Sequence, residues 1–422
     1  MSDHVPLPAR TDVSALAASA VERVAAAATR LAGQGERPAI DPVRVAISYS
    51  SERWFRLDGC AQTGFAPLSS FFRTRDGHVR THANYPHHRD ALLRGLGLPL
   101  HTERDDVADA LRSRDTDRVV ADVTAQGGLC VPVRAEVPAR DAALRRAPLV
   151  EMSRIAHTPP PPPRVIATEG SHAPLGGIRV LDLTRVIAGP VATRTLAYLG
   201  ADVLRIDPPH APELETQHLD TGHGKRSALL DLRSPAGTAR FGALVQGADI
   251  VVLGYRAAGL ERLGVTPELL IARHPGLIVL SLSAWGTPDR RGFDSLVQAE
   301  SGIALLESTS DEPGALPAQA LDHTAGYLLA TAAIELVTRR AREGGSWRAT
   351  TSLRRIAAEL LGMPRTEHPT PGVLPASADG HTQTFDVDGR TVTTAGPAFT
   401  FPGGQDRFAP PRPWGRDEPT WT

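Results

Sequence analysis

Asp322 opens the segment LDHTAGYLLATAAIELVTRR, whose apolar residues recur at helical spacing and whose end carries two arginines. Read locally, a carboxylate at that point is a helix N-cap that satisfies free backbone N–H groups. The same N–H groups and the helix dipole favour the anion, so Asp322 is expected to stay ionised at neutral pH. An ionised carboxylate can attack a thioester as a nucleophile. Two other clusters invite chemistry. TGHGKRS (221–227) looks like a phosphate loop, but Leu219 stands where that motif needs its first glycine, and Arg226 where it needs Ser or Thr. His78, His82, His87 and His88 fall within DGHVRTHANYPHHR. No cysteine or tightly spaced carboxylate accompanies them, and Pro86 breaks any single helical face, so no metal is expected there.

These residues need a scaffold. GIRVLDL (177–183), ADVLRID (201–207), ADIVVLG (248–254) and GLIVLSLS (276–283) are apolar runs of strand length. GPVATRTLAYLG (189–200) and SPAGTARFGALVQG (234–247) between them have helical character. Strands of this kind alternating with helices predict a parallel sheet covered on both faces. Such sheets bind ligands beyond the carboxyl ends of their strands, which points to the loops starting at Thr184, Asp207, Gly254 and Ala284. No GxGxxG follows the first strand, so no dinucleotide fingerprint is present.

Outside that core, residues 14–33 read as an alanine-rich helix closed by Gly33. Asp105 to Arg112 and Asp141 to Arg146 look like exposed helical segments. HTPPPPPR (157–164) cannot continue a helix or join a sheet ladder and reads as a linker. GHTQTFDVDGRTVTTAG (380–396) predicts a hairpin around Asp388-Gly389, and the remainder an extended tail lying on another surface.

The chain has 422 residues, enough for two or three domains, and its net charge is −1. That balance gives no bulk attraction to nucleic acid or anionic membrane. Lys225 is the sole lysine, so nearly all positive charge is arginine. Cys60 and Cys130 have no metal or disulfide spacing. MSDHVPLPARTD lacks an apolar leader and no run of about 18 apolar residues occurs, so the cytoplasm is the expected location.

PLGGIRVLDLTRVIAGPVATRTLAYLGADVLRID, GKRSALLDLR, GLERLGV, PGLIVLSLSAWG, GFDSLVQAESG and the LDHTAGY helix occur in this order. Together they resemble the large domain of the family III CoA-transferases, the group of formyl-CoA and carnitine CoA-transferases with the α-methylacyl-CoA racemases as relatives. The resemblance implies an α/β fold: a parallel-sheet, Rossmann-like large domain, a smaller α+β domain and an interlocked homodimer. It places the large domain at 174–366 and a proline-rich linker at 157–173. The region resembling the family's small domain lies in front, within 1–156, and an extended C-terminal segment covers 367–422. The family order is therefore permuted.

The resemblance also assigns residues. Asp322 falls on the family's catalytic aspartate, which accepts the acyl group and then CoA. Val186, Ile187 and Ala188 fall on the loop lining the CoA site, and Leu230, Asp231, Leu232 and Arg233 on a second CoA contact. Gly254 and Tyr255 replace an Asn-Phe pair, Arg262 matches a CoA-binding arginine, and Arg291 and Asp294 match polar positions before the QAESG helix. Pro208 replaces another CoA arginine, and Ile187 a frequent glutamine. Phe293 stands where the racemases carry a catalytic histidine, and a phenyl ring cannot exchange a proton at carbon. The implied activity moves CoA between an acyl-CoA and a carboxylic acid, with coenzyme A as substrate and no permanently bound cofactor. The altered positions leave two further readings open: a non-catalytic homologue that binds CoA or a partner, and an acyl-CoA isomerase or racemase.

Overall fold

Short apolar runs between helices build the sheet that the sequence predicts, and three further strands extend it. The computed structural model describes residues 4–33, 39–161, 173–287, 289–309, 311–367, 375–401 and 403–421. Seven strands pair in the order Glu151–Ala156, Ser346–Ser352, Ile278–Ser283, Ile250–Leu253, Arg179–Leu183, Asp202–Asp207, Lys225–Leu229. The last six are parallel to their neighbours, and Glu151–Ala156 runs antiparallel to Ser346–Ser352.

Side chains alternate across the central strands, as the two-residue period of a strand requires. Val180, Val252, Ile278 and Leu280 face one helical layer. It contains helices Ala188–Tyr198 and Ala320–Glu343 and the alanine-rich helix Val13–Leu31. Leu181, Val251 and Val279 face the other, where Phe241, Leu244 and Leu270 come from helices Pro235–Gln246 and Pro267–Arg273. Burial on both faces is why these strands read as continuous apolar runs. The small side chains of Val13–Leu31 let it lie directly on the long Ala320–Glu343 helix, and Gly33 follows its end at φ 74°.

A smaller α+β unit precedes the large sheet. Strands Phe71–Arg73, His78–Thr81 and Cys130–Pro132 form an antiparallel sheet. Helices Pro86–Leu96, Arg104–Arg112 and Thr116–Ala125 cover it around Leu92, Leu93, Val107, Leu111 and Val123. The hairpin expected near Asp388-Gly389 joins Thr382–Val387 to Arg390–Ala395, with positive φ at both turn residues. It pairs with Arg56–Leu57, so the two ends of the chain share a sheet. The tail beyond it docks on Lys225–Leu229, where Asp417 N–H donates to Ser227 O at 2.7 Å.

Helix Pro138–Arg145 differs from expectation in one respect. Asp141 is buried rather than exposed, because it pairs with Arg354 of the large domain. Most of the proline-rich linker, residues 162–172, lies outside the described residues. Among the described residues no helix is long and apolar enough to cross a membrane.

Candidate active site

The strand order reverses beside Arg179–Leu183, whose two neighbours continue the chain in opposite directions across the sheet. A cavity of about 1110 Å³ opens past the carboxyl ends there. Its walls include Val186 and Ala188 after the first strand, Gly254 to Ala257 after Ile250–Leu253, Ser281 to Ala284, and Thr350 to Leu353. Asp322 reaches the same cavity from the first turn of Ala320–Glu343.

Two helix N-termini therefore meet at one point. Ala188 opens helix Ala188–Tyr198 and Asp322 lies near the start of its neighbour. They meet because Gly326, one turn beyond Asp322, has no side chain. A Cβ there would stand 2.7 Å from Val191 Cβ and 2.8 Å from Ala188 O. Thr184 and Gly189 make a second close approach, with Thr184 Cβ 2.3 Å from where a Cβ of residue 189 would be.

Val186 sits in that loop at φ 71°, which a β-branched residue avoids. Glu213 holds it there by accepting the Val186 N–H at 3.1 Å. The same carboxylate pairs with Arg205 at 3.0 Å and with Arg185, and accepts the Tyr85 hydroxyl. Burial alone would raise Glu213; Arg205 and Arg185 override it and hold the carboxyl at about 2. Beneath the loop, Asp182 accepts both the backbone N–H and the hydroxyl of Thr184, the Thr193 hydroxyl and Lys225 Nζ. A strained loop fixed by two buried charge networks is a feature that binding and catalytic sites recurrently show.

Asp322 is not the N-cap of its helix; Gln319 is. The Asp322 N–H instead donates to Asp294 Oδ2 at 2.9 Å, so a carboxylate from another helix supplies the cap. The expectation of an ionised Asp322 is corrected accordingly. Burial, and then the neighbouring Asp294 carboxylate, push its carboxyl well above the usual range. The backbone N–H groups expected to hold its charge are turned to Asp294.

The structure gathers Asp322, Val186, Ala188, Gly254, Tyr255 and Arg291 around the cavity. It does not bring Ile187, Leu230, Asp231, Leu232, Arg233, Arg262 or Asp294 to its walls. Ile187 packs on the core, as do Leu230 and Leu232 on the opposite layer. Asp231 and Arg233 are tied to each other on the surface, with His210 on the Arg233 guanidinium at 2.8 Å. Arg262 is exposed at the end of the short helix Ala257–Arg262. Asp294 is wholly buried behind Asp322.

Sequence reasoning missed the part of the wall that comes from the smaller unit: Tyr85, His87 and His88. Their signal in the sequence is the histidine-rich HANYPHHR. His88 Nε2 lies 2.6 Å from Arg291 Nη2, and His82 stacks face to face on Phe293 with ring centroids 3.7 Å apart. Burial, with His87 and Arg291 nearby, lowers His88 to about 3, so it is neutral. Among the described residues no group of three His, Cys, Asp or Glu is placed to hold a metal ion. Arg185, Arg256, Arg290, Arg348 and Arg355 also line the cavity and make it suited to an anionic ligand.

The sequence model of CoA-transferase family III matches residues 175–394, more than half of the chain. The chain is similar to the probable fatty acyl-CoA transferase Rv3272 of Mycobacterium tuberculosis, 32% identical over 195 residues, 42% of this chain and 50% of that protein. It is similar to the succinate–glutarate CoA-transferase of Agrobacterium fabrum, 35% identical over 169 residues, 35% of this chain and 42% of that one. The crystal structure of Rv3272, described as a hypothetical protein, aligns at 32% identity and a TM-score of 0.43, covering 45% of this chain and 56% of that one. The chain spans about half the length of the curated relatives it matches.

Proposed function

The chain belongs to CoA-transferase family III, and from that premise we propose that it moves CoA between an acyl-CoA and a carboxylic acid through an aspartyl-CoA thioester on Asp322. The observation that carries this reading is the carboxyl of Asp322 at the wall of an arginine-lined cavity where two helix N-termini meet.

Asp322, once ionised, attacks the thioester carbonyl carbon; the C–S bond breaks, CoA leaves as its thiolate, and a mixed anhydride remains. The thiolate attacks the aspartyl carbonyl, the donor acid departs as carboxylate, and an aspartyl-CoA thioester forms. The acceptor carboxylate attacks that thioester and again releases the thiolate. Attack of the thiolate on the acyl carbon of this second anhydride gives the new acyl-CoA and restores Asp322. Covalent catalysis divides one difficult exchange into easier steps. Each tetrahedral oxyanion needs preorganised donors, and the N-terminus of helix Ala188–Tyr198, whose first residue lines the same cavity as Asp322, is the candidate source. Arg256, Arg185 and Arg291 are the cavity's candidates for phosphate and carboxylate contacts. A two-base racemisation fits the site less well, since Phe293 supplies no proton-exchanging atom.

The test is to incubate the protein with a panel of acyl-CoAs, trap the aspartyl thioester with hydroxylamine as its hydroxamate, and locate it by peptide mass spectrometry. Modification at Asp322 is expected, together with loss of transfer in a folded Asp322→Ala variant. Undiminished transfer in that variant would sink the mechanism.

A further inference from the structure

The backbone dictates the direction of a buried hydrogen-bond chain behind Asp322. The Leu316 N–H can only donate, and it lies 2.9 Å from Gln298 Oε1. That fixes which end of the Gln298 amide is oxygen, so its NH2 group is the one that faces Asp294 Oδ1 at 2.6 Å. The other oxygen, Asp294 Oδ2, takes the Asp322 N–H at 2.9 Å, and the Leu321 N–H also bears on this carboxyl. Both oxygens of Asp294 are therefore acceptors. A protonated carboxyl would have to turn an O–H toward one of these donors.

Asp294 also stands at two helix N-termini. It is the first residue of Asp294–Ser301, and it caps Ala320–Glu343. Each end favours an anion. Asp322 has no such partners: among the described residues no donor is assigned to its carboxyl, and it is 7% exposed. Two carboxylates this close, both withdrawn from water, do not both ionise readily.

We propose that the negative charge of this pair resides on Asp294 and that Asp322 rests as a neutral carboxylic acid, held in place through its backbone by that charge. Asp294 is then a positioning residue, not a ligand contact. That role rests on the reading of Asp322 as nucleophile; the placement of the proton does not. Before Asp322 attacks, its O–H bond breaks and the proton passes to water in the cavity, leaving the electron pair on the carboxylate. The first covalent step accordingly speeds up as pH rises through the ionisation of Asp322.

The surrounding groups agree. Burial raises Asp294 to about 6 and Asp322 further. Glu52, on helix Ser51–Trp54, is raised by burial to about 7, with Asp220 and Asp294 as its acidic neighbours. His323 is lowered by burial and by Arg194 to about 3 and stays neutral. Arg291, on the cavity side, is engaged by Gly127 O and His88.

The experiment is a pH titration of carboxyl-13C aspartates by NMR or infrared spectroscopy in wild type, Asp322→Asn and Asp294→Asn. Wild type is expected to keep a protonated carboxyl at pH 6, about two units above an ordinary aspartate, and Asp322→Asn to lack that signal. In Asp294→Asn the same signal should ionise about one pH unit lower or more, because the neighbouring charge is gone. Loss of the high signal in Asp294→Asn with its retention in Asp322→Asn would overturn the assignment. So would an Asp322→Asn spectrum that lacks no signal persisting to pH 6. Should Asp294→Asn not fold, the other two proteins decide the question alone. Absence of CoA transfer with these titrations intact would sink the proposed function and leave the proton assignment standing.

Discussion

Lys225 Nζ lies 3.0 Å from Asp182 Oδ2, and both side chains are sealed from solvent. The ammonium also donates to Pro190 O at 2.9 Å, so it ties an edge strand to the loop and helix carrying Val186 and Ala188. Removing one member of a buried pair leaves the other charge uncompensated, which costs about 3–5 kcal/mol. Lys225→Met should lose stability on that scale in urea unfolding. A loss under about 1 kcal/mol would mean the pair is not the anchor described.

The same lysine makes a chemical prediction. Burial pulls its ammonium down to about 8 against the opposing pull of Asp182, yet the side chain is only 2% exposed. Amine-acylating reagents should therefore leave Lys225 untouched in the native protein and modify it fully once the chain is unfolded. Peptide mass spectrometry before and after denaturant reads this directly, and ready native-state labelling would contradict the packing.

Much of this architecture is visible in the sequence, and the remainder is not, for physical reasons. The central strands announce themselves because burial on both faces demands unbroken apolar runs such as Ile250–Leu253. Glu151–Ala156 does not, because an edge strand with one covered face carries polar residues that mimic a loop, and Ser346–Ser352 beside it is polar although largely buried. Asp388-Gly389 is legible because its turn needs two positive φ values. Asp322 could be found as a carboxylate at a helix start. Its protonation could not, since Asp294 is 28 positions away in sequence and arrives only through tertiary packing. His88 was equally hidden, because its place beside Arg291 depends on the smaller unit folding across the cavity.

Val186 offers a test of loop strain. A β-branched residue at φ 71° costs about 1–3 kcal/mol, which glycine avoids. Glycine brings its own entropic penalty of about 0.5–1 kcal/mol. Val186→Gly should thus leave stability unchanged or raise it by about 1 kcal/mol, although trimming a half-buried valine ordinarily lowers it. A loss of more than about 1 kcal/mol in denaturant titration would show that the conformation is unstrained.

The raised carboxyl of Asp322 links stability to pH in a definite sense. A group whose folded value lies above its unfolded value binds more protons folded than unfolded between the two, so stability falls as pH rises through that window. Each unit of displacement is worth about 1.4 kcal/mol. Asp322→Asn removes this loss. The variant should melt above wild type at pH 8, and the gap should close near pH 4, where the unfolded carboxyl is itself protonated. Calorimetry at the two pH values decides it; a gap that is constant or of opposite sign would refute the raised value.

Gly326 should matter more to rate than to stability. It lies one turn after Asp322 on the same face, and an added Cβ would press on Val191 and on the Ala188 carbonyl at under 3 Å. Overpacking costs about 1–3 kcal/mol, while alanine returns about 1 kcal/mol of helix propensity, so Gly326→Ala should fold with a modest net loss. Relief of the clash moves the Asp322 helix away from the Ala188 helix, and under the proposed function that displaces the attacking carboxylate from the helix N-terminus beside it. Misplacement of a reacting group by about 1 Å can cost on the order of a hundredfold in rate. A fall of at least about tenfold in kcat with little change in KM is expected, while a variant as fast as wild type would show that the close helix contact does not position Asp322.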